Sequence, residues 1–331
     1  MVTLFAGFTE YMPGRNRGTW SSRVSFIGNW SYPLCSLIAM GLTPLISAEW
    51  NWRVQLLIPA ILSLIATALA WRYFPESPRW LESRGRYQEA EKVMRSIEEG
   101  VIRHTGKPLP PVVIADDGKA PQAVPYSALL TGVLLKRVIL GSCVLIAMNV
   151  VQYTLINWLP TIFMTQGINL KDSIVLNTMS MFGAPFGIFI AMLVMDKIPR
   201  KTMGVGLLIL IAVLGYIYSL QTSMLLITLI GFFLITFVYM YVCYASAVYV
   251  PEIWPTEAKL RGSGLANAVG RISGIAAPYA VAVLLSSYGV TGVFILLGAV
   301  SIIVAIAIAT IGIETKCVSV ESLSIDAVVN K

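Results

Sequence analysis

The sequence predicts an all-α protein that crosses a membrane many times, and three observations predict it. Only 12% of the 331 residues are charged while 56% are hydrophobic, whereas a soluble domain carries about 25% charged residues. The apolar residues are gathered into runs of about 20, the length a helix needs to cross a hydrocarbon core of about 30 Å. All but a few of the charges lie between those runs or at their ends. When successive loops are set on alternate sides of a bilayer, the basic ones collect on one side.

Residues 1–9 (MVTLFAGFT) would rise only about 13 Å as a helix, too little to cross. They have neither a basic leader nor a small-residue cleavage site, so they read as the end of a span and not as a signal peptide. Eight complete spans follow, at 19–46, 52–74, 138–165, 173–195, 202–220, 223–250, 262–286 and 289–312. Between the second and third, PRWLESRGRYQEAEKVMRSIEEG (78–100) sets Leu81, Ala90, Val93, Met94 and Ile97 at helical spacing among charges. That pattern predicts an amphipathic helix lying against the bundle. Residues 105–125, rich in Pro and Gly, read as a linker.

One side of the alternation holds Arg15, Arg17, the basic residues from Arg72 to Arg137, Lys197, Arg200, Lys201, Lys259, Arg261, Lys316 and Lys331. The other holds Arg53 and Lys171. The positive-inside rule then puts 75–135 and the C-terminus in the cytoplasm. Topology accounts for the net charge of +7, so the expected partner is the lipid bilayer and not nucleic acid. Cys35, Cys143, Cys243 and Cys317 have no paired or metal-ligand spacing, and neither a disulfide nor a metal site is expected. His104 falls in the cytoplasmic loop and reads as solvated.

An internal repeat organises the chain. EYMPGRNRG (10–18) precedes the first span, and EIWPTEAKLRG (252–262) precedes the seventh. Both read Glu-x-x-Pro and then Arg-Gly at the mouth of a helix. Glu76 follows Glu10 and Glu314 follows Glu252 at nearly the same interval, each closing the second helix after its motif. Two such turns could match by chance, but the paired glutamates and the shared side argue for a parallel repeat, with a substrate held between two halves. Residues 136–315 then form a complete six-span half, 1–76 the end of the other, 77–135 the connection and 316–331 a cytoplasmic tail. By this symmetry about 100 residues carrying three helices and most of a fourth are expected upstream of Met1.

Three stretches, PESPRWLESRGRYQEA (75–90), DKIPRK (196–201) and PEIWPTEAKLRGSG (251–264), give a resemblance over nearly the whole chain. The sequence resembles the sugar-porter and metabolite-transporter branch of the major facilitator superfamily. The resemblance implies a major facilitator fold, here incomplete, with eight full transmembrane helices and the stub of a ninth. It implies secondary active transport of a small organic solute across a bacterial inner membrane, with protons as the coupling ion. It also implies a cytoplasmic gate in which Glu10, Arg17, Glu76, Arg79, Asp196, Arg200, Glu252, Arg261 and Glu314 pair across helix ends. The competing reading of these charges is simple anchoring of helix ends at the interface. NVVQYTLIN (149–157) keeps one Gln and its Asn residues from the sugar signature of helix seven, which points away from a plain sugar.

Ionisable groups deep in a span are costly and usually functional. Every Asp and Glu lies in a loop or near a helix end, and the embedded charges are Arg23 and Arg271. Arg23 is close enough to its helix end to snorkel. Arg271, about 15 Å into its span, is the candidate for a substrate carboxylate, with Asn267 one turn before it on the same face; a structural arginine is the other reading. Asn149, Gln152 and Asn157 form a polar stripe beside Tyr153, either lining a cavity or joining helices. Asn29 and Trp30 are further substrate candidates, with Asn177, Tyr239, Tyr241 and Tyr244 weaker. No phosphate loop or nucleophile constellation occurs, so an enzyme, an ATP-driven pump and a cofactor are not expected. The alternatives to a transporter are a transport-inactive truncated fragment and an assembly in which two copies complete one another.

Overall fold

The structure is a computed structural model that describes residues 17–74, 76, 78–106, 125–165, 167–195, 197–221, 223–254 and 258–315. The first loop motif, most of the linker and the C-terminal tail lie outside the described residues. Among those described, every regular element is helical.

The first predicted span is two helices, α1 (Arg17–Asn29) and α2 (Ser31–Leu42). The break has a local cause. Pro33 has no N–H for the carbonyl of Asn29, the residue at which α1 ends. The second span is α3 (Ala48–Tyr73), with Glu49 in its first turn and Arg72 in its last, the signs that oppose the helix dipole. None of its described side chains is buried.

After α3 come α4 (Pro78–Ser83) and α5 (Tyr87–Thr105), joined through Gly85 at φ 74°. Leu81 and Ala90 are buried between them. Arg86 pairs with Glu89 at 2.6 Å and Arg95 with Glu91 at 2.7 Å along the exposed face. The Arg86 guanidinium, by hydrogen bond first and charge second, holds the Glu89 carboxyl below the usual carboxylate range. Any stabilisation from that pair is therefore present above the ordinary carboxylate pKa and lost as pH falls through the lowered one. Gly106, left-handed at φ 63°, ends α5 by donating to Ile102 O at 2.8 Å, a C-terminal stop that suits glycine.

The remaining elements are α6 (Tyr126–Leu129), α7 (Gly132–Thr165), α8 (Leu170–Met181), α9 (Gly183–Val194), α10 (Arg200–Ser219), α11 (Met224–Cys243), a π-helical turn at Tyr244–Tyr249, α12 (Val250–Glu252) and α13 (Lys259–Ile311). Asn169 caps α8: its side chain accepts from Asp172 N at 2.9 Å and donates to Asp172 Oδ2 at 2.7 Å, so the helix starts three residues before the predicted span. α8 stops at Met181, whose carbonyl would have bonded the N–H that Pro185 lacks. α13 is two helices joined at Gly289, φ 66° and ψ −162°, where the sequence places the turn between its last two spans.

Residue contacts divide the chain into two units, Met1–Arg17 with Ile46–Ala120, and Gly18–Leu45 with Pro121–Lys331. In the first, α4 packs on α5. In the second, α7 and α10 pack on α13, α9 on α11, and α8 on both α2 and α11. Lipid tails are as apolar as these side chains, so close packing of small residues, and not exclusion from water, brings such helices together. On α9, Gly183 and Gly187 lie directly against Phe232 and Thr236 of α11.

Candidate functional site

Two polar constellations stand out in the larger unit. The first is set by the register of α7 on α13. Gly141 lies beside Ala266, Gly270 beside Leu145 and Asn149, and Gly274 beside Asn149 and Tyr153. Each is a step of four residues on both helices, so one ridge of α7 runs along a small-residue groove of α13. A Cβ on Gly270 would come within 2.8 Å of the Leu145 Cβ and 3.0 Å of the Asn149 Nδ2. Gly270→Leu is therefore expected to lower the melting temperature in detergent through overpacking of about 1–3 kcal/mol. A change confined to the melting noise would show that the helices separate freely.

This register brings Arg271 to Tyr153, whose hydroxyl accepts from Arg271 Nη1. The guanidinium is exposed. Asn149 is only 2% exposed; its Nδ2 donates to Leu145 O at 2.7 Å, and its Oδ1 has no hydrogen-bond partner. Gln152 Nε2 stands 3.5 Å from the Tyr32 hydroxyl of α2, the outer limit of a hydrogen bond. The Tyr32 ring in turn meets Tyr239 of α11 edge-on, at 5.1 Å between centroids. Tyr239 is wholly buried with its hydroxyl unpartnered.

Arg271, Asn149 and Gln152 thus share one neighbourhood. The other substrate candidates do not join it by any direct bond. Asn267 is exposed and turned onto Ser263 O at 2.9 Å. Asn29 is turned onto Ser25 O at 2.7 Å. Trp30 packs edge-on to Phe26 and Phe182 at 6.4 Å, and Asn157 is exposed. Tyr32 was not among the sequence candidates, and the only signal for it is its place beside the helix-breaking Pro33.

The second constellation lies at the ends of α10, α12 and α13. The Arg200 side chain is 7% exposed and donates from Nε to Glu252 Oε2 at 3.1 Å and from Nη2 to Oε1 at 3.3 Å, a forked pair. Its Nη1 donates to the Met195 carbonyl. Glu314 accepts from the backbone N–H of Arg200 at 2.8 Å and of Lys201 at 3.1 Å. A carboxylate from beyond α13 thereby caps α10, where helix N–H groups and dipole favour an anion. Thr315 Oγ1 donates to Glu252 Oε2 at 2.6 Å, and the Tyr249 hydroxyl exchanges bonds with Ile313 O and N at 3.1 and 3.0 Å.

Of the nine gate candidates, Arg200, Glu252 and Glu314 are joined. Arg261 lies over the Tyr126 ring at 5.2 Å. Glu76 is exposed in the smaller unit, Arg17 begins α1 and Arg79 lies in α4. Glu10 and Asp196 lie outside the described residues. Thr315 and Tyr249 escaped the sequence reading. Among the described residues no group of His, Cys, Asp or Glu could hold a metal ion.

The Major Facilitator Superfamily profile matches residues 1–278. The chain is 99% identical over its full 331 residues to the protein YdjK of Escherichia coli (strain K12), whose name assigns it to metabolite transport, and spans 72% of that protein. It is 44% identical over 322 residues to the inner membrane metabolite transport protein YdjE of the same organism, covering 97% of this chain and 70% of YdjE. Among solved structures it resembles the xylose transporter XylE from E. coli in a partially occluded inward-open conformation, with a TM-score of 0.71, 18% identity, and coverage of 95% of this chain and 68% of that one. At that identity the likeness speaks for the fold. A profile over most of the chain, a near-identical relative and an all-helical bundle of apolar spans agree: the chain belongs to the major facilitator superfamily of secondary transporters.

Proposed function

We propose that the transported metabolite is a small organic acid and that Arg271 holds its carboxylate. The observation that carries this reading is the exposed guanidinium of Arg271, about 18 Å along α13, joined to the neutral hydroxyl of Tyr153. A cation at that depth is costly. The described residues put no carboxylate beside it, so its charge is open to an acidic substrate. Coupling to protons, placement in the bacterial inner membrane with the C-terminus and residues 75–135 in the cytoplasm, and a division into a complete half (136–315) and part of another (1–76) complete the proposal. In it Arg200, Glu252 and Glu314 act at the cytoplasmic end, as parts of the gate.

Uptake of labelled carboxylates into membrane vesicles carrying the chain tests this. A hydrogen bond to a charged group contributes about 1.5–3 kcal/mol, so Arg271→Gln is expected to weaken acid uptake about 10- to 100-fold at equal amounts of folded protein. Arg271→Lys should retain part of it. Acid uptake unaltered by Arg271→Gln refutes the assignment.

A further inference from the structure

We infer that the acid is a polyhydroxylated one, of the aldonic or uronic type, and not a plain aliphatic or aromatic carboxylate; this rests on Arg271 as the carboxylate group's partner. Tyr153, the partner of Arg271, shares α7 with Asn149 and Gln152; Gln152 faces Tyr32 of α2, whose ring meets Tyr239 of α11. All five are neutral, and each presents a hydroxyl or an amide. Two of them are buried with an atom unsatisfied: the Tyr239 hydroxyl and the Asn149 Oδ1. Gln152 meets Tyr32 only at 3.5 Å, which leaves most of its amide's capacity unspent.

Buried polar atoms of a native protein are nearly always satisfied, so each exception asks for a reason. Inside a bilayer the reason is more pressing, because no bulk water can enter to satisfy them. The chemistry missing here is specific. Asn149 Oδ1 can only accept, so its partner must donate; a carboxylate cannot. The Tyr239 hydroxyl and the Gln152 amide can each both donate and accept. A hydroxyl group answers all of these, and a hydrocarbon chain or a benzene ring answers none. The edge-on pair of Tyr32 and Tyr239 adds an apolar ring surface against which the C–H face of a polyol can lie. A neutral sugar would satisfy the hydroxyls' partners but leave the guanidinium without an anion. One molecule bearing a carboxylate and several hydroxyls matches both sets.

The purified full chain in detergent, with gluconate, hexanoate and glucose as probes, decides it. Thermal stabilisation by each probe and its competition for uptake are the readouts. Gluconate is expected to bind about 10-fold or more tighter than hexanoate, and glucose is expected not to bind. Tyr239→Phe, which removes one oxygen and keeps the ring, should erase most of gluconate's advantage while leaving hexanoate binding as it was. Gln152→Met gives a second variant should Tyr239→Phe fail to fold. Arg271→Gln should weaken the response to both acids about 10- to 100-fold. Hexanoate binding as well as gluconate, with Arg271 still required, overturns the polyhydroxylated class and leaves the carboxylate assignment standing. Binding of both acids undiminished by Arg271→Gln, or of neither acid at millimolar concentration, overturns both.

Discussion

Gly187→Val is expected to remove most of the folded protein from detergent extracts, and Gly187→Ala to lower its melting temperature. The cause is the closeness of α9 to α11. A Cβ on Gly187 would overlap the Thr236 carbonyl oxygen and lie 3.0 Å from its carbon and 3.1 Å from its Cα. One turn earlier, a Cβ on Gly183 would overlap the Phe232 carbonyl and come within 3.0 Å of Thr236 N and Oγ1. Those neighbours are mostly backbone, which cannot swing aside as a long side chain can. Overpacking of side chains costs about 1–3 kcal/mol, and moving a helix apart from its partner also forfeits the packing that holds spans together in lipid. Thr236 precedes Tyr239 by three residues on the same helix, so the damage reaches the polar cluster as well. Gly206 on α10 has nothing within 4 Å of a Cβ and supplies the control: Gly206→Val should elute as the unmodified chain does by fluorescence-detected size exclusion. Equal profiles for Gly187→Val and Gly206→Val would sink the argument.

The spans were legible because a run of apolar residues announces itself without knowledge of its neighbours. Their ends were less so. α7 begins at Gly132, six residues before the predicted span, because a helix can continue past the hydrocarbon with Lys136 and Arg137 in its first turns. Arg137 shows what a loop charge can become. It is 3% exposed, with Nε and Nη1 lacking hydrogen-bond partners, a burial that only the packing of other elements decides. The interruptions at Trp30 and Phe182 had a visible signal in Pro33 and Pro185, which a reading by hydrophobic runs passes over. The π-helical turn at Tyr244–Tyr249 has its signal in Pro251, which offers no N–H to the Ala247 carbonyl, and within it Tyr244 stacks on Tyr249 at 5.0 Å. Arg271 stood out as a charge in an apolar run. Its surroundings stood out in part: Asn149 and Gln152 beside Tyr153 form a visible stripe and Tyr239 is a weaker candidate, whereas which helices bring Tyr32 and Tyr239 together is decided by packing alone. The loop motifs named Arg200, Glu252 and Glu314 individually, but which of the nine charges meet across helix ends is decided by packing, and these three meet within one unit.

That meeting gives the second large effect. Glu252→Ala is expected to lower both the melting temperature and transport per folded molecule. It takes a forked carboxylate away from a guanidinium that is nine-tenths buried and strips Thr315 of its acceptor. Removing one member of a buried pair costs about 3–5 kcal/mol. Glu252 is itself about a third exposed, so solvent screening brings the expectation down to about 2 kcal/mol. Glu314→Ala removes the cap of α10 and is expected to cost about 1 kcal/mol. The two sites share Arg200, so their effects should not add. A cycle of Arg200→Met, Glu252→Gln and the double variant reads the pair directly: a coupling of about 2 kcal/mol is expected, and strict additivity would show that the pair contributes nothing. The geometry also says what kind of effect to look for. The cluster ties the start of α10, the end of α12 and the segment after α13 into one block, all within a single unit. On the proposal that these residues act in the gate, the block keeps that end of the unit rigid during transport, so a loosened block should slow transport even at temperatures where the protein stays folded. Transport by Glu252→Gln that falls only in step with the amount of folded protein would reduce the cluster to an anchor for helix ends.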